Sequence, residues 1–191
     1  SGMRVVGPNC LGLINTSADL NASFANGMPD KGNIAFLSQS GAFGTAILDW
    51  AIGQKIGISK FISVGNKADV DEVSLTRAIG ADTETAVILG YVESIAHGTA
   101  FMETAREITR RKPVILLKSG GTAAGARAAS SHTGALAGSE NAYNAAFRQS
   151  GVMRAGKVED LFDWGLAFSY QRGIKGPNIA LVTNAGGPGI I

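Results

Sequence analysis

Between Asn33 and Tyr170, short apolar runs, each followed by a turn or loop and then a helix-patterned stretch, recur five times, and that alternation limits the chain to few folds. Asn33 to Leu37 predicts a strand, Ser38-Gln39-Ser40-Gly41 a tight turn, and the stretch through Ala42, Ile47, Trp50 and Ile52 an amphipathic helix. Lys60 to Val64 repeats the strand signal before Gly65-Asn66-Lys67-Ala68-Asp69, and Glu72 to Ile79 reads as a helix. Thr85 to Tyr91 and Pro113 to Lys118 predict two further strands with a helix over Thr99 to Arg111 between them, since Pro is tolerated where a strand starts. Ser139 to Gln149 reads as a helix, Val152 to Arg154 as a short strand and Val158 to Tyr170 as a closing helix. Parallel neighbours need crossover connections, so this order predicts an α/β fold with a doubly wound parallel sheet.

The ends of the chain break the pattern. Lys175-Gly176-Pro177 resembles a linker, after which Asn178 to Thr183 predicts a buried strand and Asn184-Ala185-Gly186-Gly187-Pro188-Gly189 a strand-to-helix turn. At the front, Met3 to Val6 is an isolated apolar run, and Gly7 to Gly12 is a turn leading to Leu13-Ile14-Asn15. The expected organisation is a tail of one neighbouring domain over residues 1–30, a central domain over 31–174, and the head of another domain over 175–191.

Composition narrows the function classes. With 191 residues, 45% hydrophobic and 17% charged, the chain can bury one solid core. Its net charge of +2 is not organised into Lys/Arg clusters interleaved with aromatics, which argues against nucleic acid as a partner; Arg110-Arg111-Lys112 reads as a solvated helix end. Apolar runs such as Val114 to Leu117 are too short to span a bilayer, and the first residues show no signal-peptide pattern, so the cytoplasm is the expected location. One cysteine excludes an internal disulfide, and one cysteine with two histidines makes a metal site improbable.

In open α/β sheets, ligands occupy the crevice at the carboxyl ends of the strands, and the chemically suggestive residues fall there. Ser131-His132-Thr133-Gly134 lies inside a stretch of very small side chains that begins at Ser119. A phosphorylated imidazole carries roughly two negative charges and needs close backbone N–H groups that bulky neighbours would keep away. His132 is therefore the candidate nucleophile, with Ser131, Thr133 and Gly134 as phosphate-binding candidates; a loop histidine without chemistry is the alternative. Ser38, Ser40 and Gly41 precede a helix whose positive end suits an anion, and Asn184, Gly186 and Gly187 repeat that device. Gly65 and Asn66, at another strand end, are further phosphate-binding candidates. Glu93 sits where it could orient one ring nitrogen of His132, or could simply cap the next helix. Asp69 and Asp71 read as ordinary helix N-caps, and His97 as a structural loop residue.

Five ordered motifs carry a resemblance: Gly7-Pro8-Asn9-Cys10-Leu11-Gly12, Ser38-Gln39-Ser40-Gly41-Ala42, Gly65-Asn66-Lys67-Ala68-Asp69-Val70, Ser131 to Gly138, and Thr183 to Gly189. Together they resemble the NDP-forming acyl-CoA synthetases, a family related to the succinyl-CoA synthetase α subunit, and in particular the α subunits and fused forms of ADP-forming acetyl-CoA synthetases. The resemblance implies a flavodoxin-like CoA-ligase domain in an enzyme that interconverts acyl-CoA, ADP and phosphate with acid, CoA and ATP. His132 would carry the phosphoryl group, Glu93 would orient it, and Asn9 and Cys10 would lie near the CoA thiol. The resemblance also implies Mg²⁺ with the nucleotide, an ATP-grasp β subunit or fused ATP-grasp domain, an N-terminal CoA-binding domain largely outside this chain, and an oligomeric assembly of α and β chains or a dimer of fused chains. These 191 residues alone are expected to be inactive, and the small-residue segment before His132 is expected to swing as an arm. Two other classes stay open: a non-catalytic synthetase-like sensing domain, as appended to some protein acetyltransferases, and a ligand-free oligomerisation scaffold.

Overall fold

A computed structural model describes residues 2–120, 139–171, 176–178 and 180–187. The chain opens with β1 (Gly12–Asn15), a short 3-10 turn (Thr16–Ala18) and β2 (Leu20–Ser23). Then come β3 (Lys31–Ser38), α1 (Gly41–Gly53), β4 (Ile58–Ser63), α2 (Glu72–Ala81), β5 (Val87–Val92), α3 (Gly98–Thr109) and β6 (Val114–Lys118). After residues 121–138, α4 (Glu140–Ser150), β7 (Met153–Ala155) and α5 (Val158–Tyr170) complete the described elements.

Seven strands form one sheet in the order β2-β1-β4-β3-β5-β6-β7. From β4 to β7 the pairing is parallel, with Phe36 facing Phe61 on one side and Leu89 on the other. The order of the parallel strands reverses between β3 and β5, which opens a crevice at their carboxyl ends. Alternation along the strands feeds two cores. Ala35, Leu37, Ile88 and Leu116 join one core, with Val73 and Ile79 of α2, Phe101 and Ile108 of α3, and Phe147 of α4. Ile34, Phe36, Leu89 and Ile115 join the other, with Ile47 and Leu48 of α1 and Leu161 and Phe162 of α5. Phe36 is stacked between Phe61 and Phe162, with ring centroids 6.1 and 6.2 Å away. No described helix is long and apolar enough to cross a membrane.

The ends differ from the sequence expectation. β1 pairs antiparallel with both β2 and β4, placing Leu13 opposite Ile62 and burying Ile14, so residues 12–23 extend the same sheet that 31–174 was expected to form without them. An unpaired β4 edge and an apolar Ile14 give the physical reason. The Met3 to Val6 run is in no strand; Met3 and Val5 are exposed, and Val6 packs on the core. Asp71 caps α2 as expected, accepting from Ser74 N–H at 2.8 Å. Asp69 is not a cap: it pairs with Arg4 at 2.9 Å and accepts from Val5 N–H at 2.8 Å, tying the front segment down. The run from Asn178 to Thr183 was expected to be a buried strand. Asn178 and residues 180–183 are instead exposed and in no strand; no described strand pairs with them, and an unpaired segment is not a stable strand.

Candidate active site

A cleft of about 1190 Å³ opens at the carboxyl edge, beside the point where the strand order reverses. Its walls bring together residues that the sequence singled out separately: Asn9 and Cys10 from the front turn, Ser40 and Gly41 at the start of α1, Gly65 and Asn66 after β4, and Glu93 after β5. Leu11, Phe24 and Ala42 make its apolar part; Gln39, Lys67 and Ser94 complete its polar part.

Local sequence explains how each wall is held. Ser40 is the N-cap of α1, accepting from Phe43 N–H at 3.2 Å, and a Cβ on Gly41 would meet nothing within 4 Å, so the helix start is open toward a guest. Ser38 differs from its neighbours. It is fully buried, donates to Ser40 carbonyl at 2.7 Å and accepts from Ser40 N–H at 3.2 Å, so its hydroxyl builds the turn and does not line the cleft. Gly65 has φ of +61°, and a side chain there would run into the Pro8 and Asn9 carbonyls; only glycine lets the front turn close on this loop. That closure is sealed by Asn66 N–H to Pro8 carbonyl at 2.9 Å, Ala68 N–H to Gly7 carbonyl at 2.8 Å and Leu11 N–H to the Ser63 hydroxyl at 3.0 Å.

Charge is arranged around the turn that carries Glu93. Gln39 Oε1 accepts from Glu93 N–H at 2.7 Å and from Ser94 N–H at 3.0 Å, while its Nε2 donates to Ser94 carbonyl at 2.8 Å. The Tyr143 hydroxyl accepts from Ile95 N–H at 3.1 Å, and Glu72 Oε1 accepts from Ala96 N–H at 2.8 Å. Glu72 is fully buried and its other oxygen lies 3.1 Å from Lys67 Nζ, which also donates to Ser94 carbonyl at 3.2 Å. Lys118, at the end of β6, lies 4.7 Å over the Tyr143 ring. Burial pulls its ammonium below the usual lysine range, against the opposing pull of Glu140.

His132, Ser131, Thr133 and Gly134 lie outside the described residues. Asn184, Gly186 and Gly187 are exposed and do not line the cleft, so the second anion-binding turn read from the sequence is not brought beside the start of α1 here. Gln39 and Lys67 lie within the Ser38–Ala42 and Gly65–Val70 motifs, where the sequence alone does not mark them as site residues. Glu72 and Tyr143 fall inside the predicted helices 72–79 and 139–149, and nothing in the sequence pattern separates them from other helix residues. A carboxylate at the first helical position, five residues after a lysine in a glycine-led loop, is the available sequence signal for the buried pair.

The family model described as the succinyl-CoA ligase like flavodoxin domain matches residues 31–168. Acetate–CoA ligase (ADP-forming) I of Archaeoglobus fulgidus is 52% identical over 190 residues, covering 100% of this chain and 27% of that protein. The α subunit of acetate–CoA ligase (ADP-forming) I of Pyrococcus furiosus is 46% identical, with 100% of this chain and 41% of that subunit covered. Among solved structures, the dinucleotide forming acetyl-coenzyme A synthetase 1 of Ca. Korarchaeum cryptofilum, in complex with phosphate and ADP, superposes with a TM-score of 0.93 at 46% identity, covering 99% of this chain and 41% of that one. The chain thus spans well under half the length of these relatives.

Proposed function

The chain belongs to the succinyl-CoA ligase-like flavodoxin domain family, and from that premise we propose that it is the phosphohistidine-bearing domain of an ADP-forming acyl-CoA synthetase. The observation that carries this reading is the single cleft in which Asn9 and Cys10, the open start of α1, the Gly65-Asn66 loop and Glu93 converge. In the direction of ATP synthesis, an oxygen of inorganic phosphate attacks the thioester carbonyl carbon, the C–S bond breaks and CoA leaves as the thiolate. His132 then attacks phosphorus in the acyl phosphate; the P–O bond to the acyl group breaks and the carboxylate departs. The phosphoryl group finally moves from His132 to ADP.

Each step asks mainly for positioning and charge stabilisation. Free N–H groups at the start of α1 would hold phosphate oxygens, with Gly65 and Asn66 on the facing loop. Glu93 would accept a hydrogen bond from the N–H of one imidazole nitrogen, fixing the tautomer and stabilising the cation formed on transfer. Asn9 and Cys10 would line the approach of the CoA thiol. Ser131, Thr133, Gly134 and the Asn184 to Gly187 turn would contribute further N–H groups once the neighbouring domains are in place. Mg²⁺ would accompany the nucleotide in an ATP-grasp domain, fused or on a separate β subunit, in a cytoplasmic oligomer. Residues 175–191 would be the start of a second flavodoxin-like domain, while the CoA-binding domain would lie ahead of the front segment, whose residues 12–23 belong to this sheet.

Incubating the intact protein with γ-labelled ATP and Mg²⁺ tests the reading. Acid-labile, base-stable label on His132 that disappears in His132→Ala supports it. No label on intact, folded protein favours a non-catalytic sensing domain.

A further inference from the structure

Four consecutive backbone N–H groups, those of Glu93, Ser94, Ile95 and Ala96, are each bound by a side chain, and those side chains come from three separate elements. Gln39 at the entrance to α1 takes the first two, Tyr143 of α4 the third and Glu72 of α2 the fourth. The Ser94 carbonyl is held as well, by Gln39 and Lys67. A turn of this length needs no such network to connect β5 to α3, because none of its residues 93–96 is fully buried and N–H groups within reach of solvent can be satisfied by water. Moreover, the network includes a buried carboxylate–ammonium pair, an arrangement that contributes little net stability over an apolar replacement. Its useful product is rigidity at one place. Of the residues so held that line the cleft, Glu93 is the one that carries a carboxylate.

We propose that Gln39, Tyr143 and the Lys67–Glu72 pair are positioning residues that hold Glu93 at one fixed angle to the group processed in the cleft. This rests on the proposed function for what Glu93 acts upon, but the cradle itself stands on geometry. Orientation matters here because a carboxylate aligns an imidazole only through a directed hydrogen bond, and sub-ångström drift weakens it. The three supports also differ in what they hold. Gln39 fixes the peptide of Glu93 itself, whereas Tyr143 and Glu72 fix the two peptides beyond Ser94, so losses should grade with distance from Glu93.

The test uses Gln39→Ala, Tyr143→Phe and the double variant Lys67→Met/Glu72→Gln, which removes both charges together and so avoids leaving one buried alone. In the intact protein, phosphorylation of His132 by labelled ATP should slow by about ten- to a hundredfold in Gln39→Ala and less in the other two, with the KM for ATP unchanged. Adding Glu93→Gln to Gln39→Ala should give no more loss than Glu93→Gln alone, which a merely structural role would not produce. Site-resolved amide exchange supplies the second readout: residues 93 and 94 should exchange faster in Gln39→Ala, 95 in Tyr143→Phe, and 96 in the double variant. Label formation in Gln39→Ala within twofold of wild type would overturn the proposal. If wild type takes no label, the proposed function has failed, and exchange decides the cradle: unchanged rates at all four amides in the variants would overturn it.

Discussion

Each end of the sheet holds a shielded lysine–carboxylate pair, and the two pairs differ in what surrounds them. Toward the amino end, Lys60 lies 2.8 Å from Asp82, whose carboxylate also accepts from the Thr85 hydroxyl at 2.6 Å. Thr85 is in turn bonded to Ser59 at 2.7 Å, and Lys112 donates to the Asp82 carbonyl. These groups serve one another, and none of them lines the cleft. At the carboxyl end, the Lys67–Glu72 pair holds backbone groups of a turn, and Lys67 and that turn face a large cleft. Similar charges thus do different work: one cluster closes the bottom of the fold, and the other holds a loop still in front of open space. A buried ion pair is therefore no sign of a site until its partners and the space beside it are known.

The largest expected effect separates the pairs by stability. Lys67→Met alone leaves the fully buried Glu72 carboxylate uncompensated and should cost about 3–5 kcal/mol in chemical denaturation, most of which the Lys67→Met/Glu72→Gln double variant should recover. A single variant as stable as wild type would mean that the pair is not buried as described. Next, Asp82→Asn should cost about 1–3 kcal/mol. Its acid profile sharpens the contrast. Burial works to raise the Asp82 carboxyl, but hydrogen bonds from Lys60 and Thr85 outweigh it and hold the group below the usual aspartate range. Stability from this group is therefore complete above the unfolded pKa, near 3.9, and is lost as pH falls through the lower folded value. Unfolding curves at stepped pH below 5 should show a shallower acid loss in Asp82→Asn than in wild type; parallel curves would remove Asp82 from the account. The smallest stability effect belongs to Gln39→Ala, about 0.5–1.5 kcal/mol by denaturant titration, because water at the cleft wall can replace its hydrogen bonds. A much greater loss would make Gln39 a pillar of the fold instead of a positioning residue.

Much of the fold was legible because periodicity reports burial. Val158 to Tyr170 is helical over the whole predicted span, and each of the five parallel strands lies within two residues of its predicted limits. β2 was invisible for the same reason: Leu20, Asn21 and Ala22 are exposed, so no alternation marks them, and only pairing with β1 makes them a strand. Asn178 to Thr183 shows the converse, an apolar run that predicts a strand without saying which ladder it joins. At the candidate site, strand-end glycines and Glu93 could be located because loops after strands of a parallel sheet converge. What could not be read was which polar atoms are consumed by the scaffold. Ser38 and Ser40 are two residues apart, yet one hydroxyl is buried in the turn and the other caps a helix at the cleft. The cradle of Gln39, Tyr143 and Glu72 joins residues up to 104 positions apart in sequence, a relation that only the folded chain creates.

The contrast between the two ends is tested most directly by acyl-CoA-dependent ATP synthesis in the intact protein, comparing Glu93→Gln with Asp82→Asn at a temperature where both are folded. Glu93→Gln should lower kcat by about ten- to a hundredfold while Asp82→Asn stays within about twofold of wild type. Equal losses in the two variants, or full turnover in Glu93→Gln, would contradict the placement of the chemistry at the carboxyl edge.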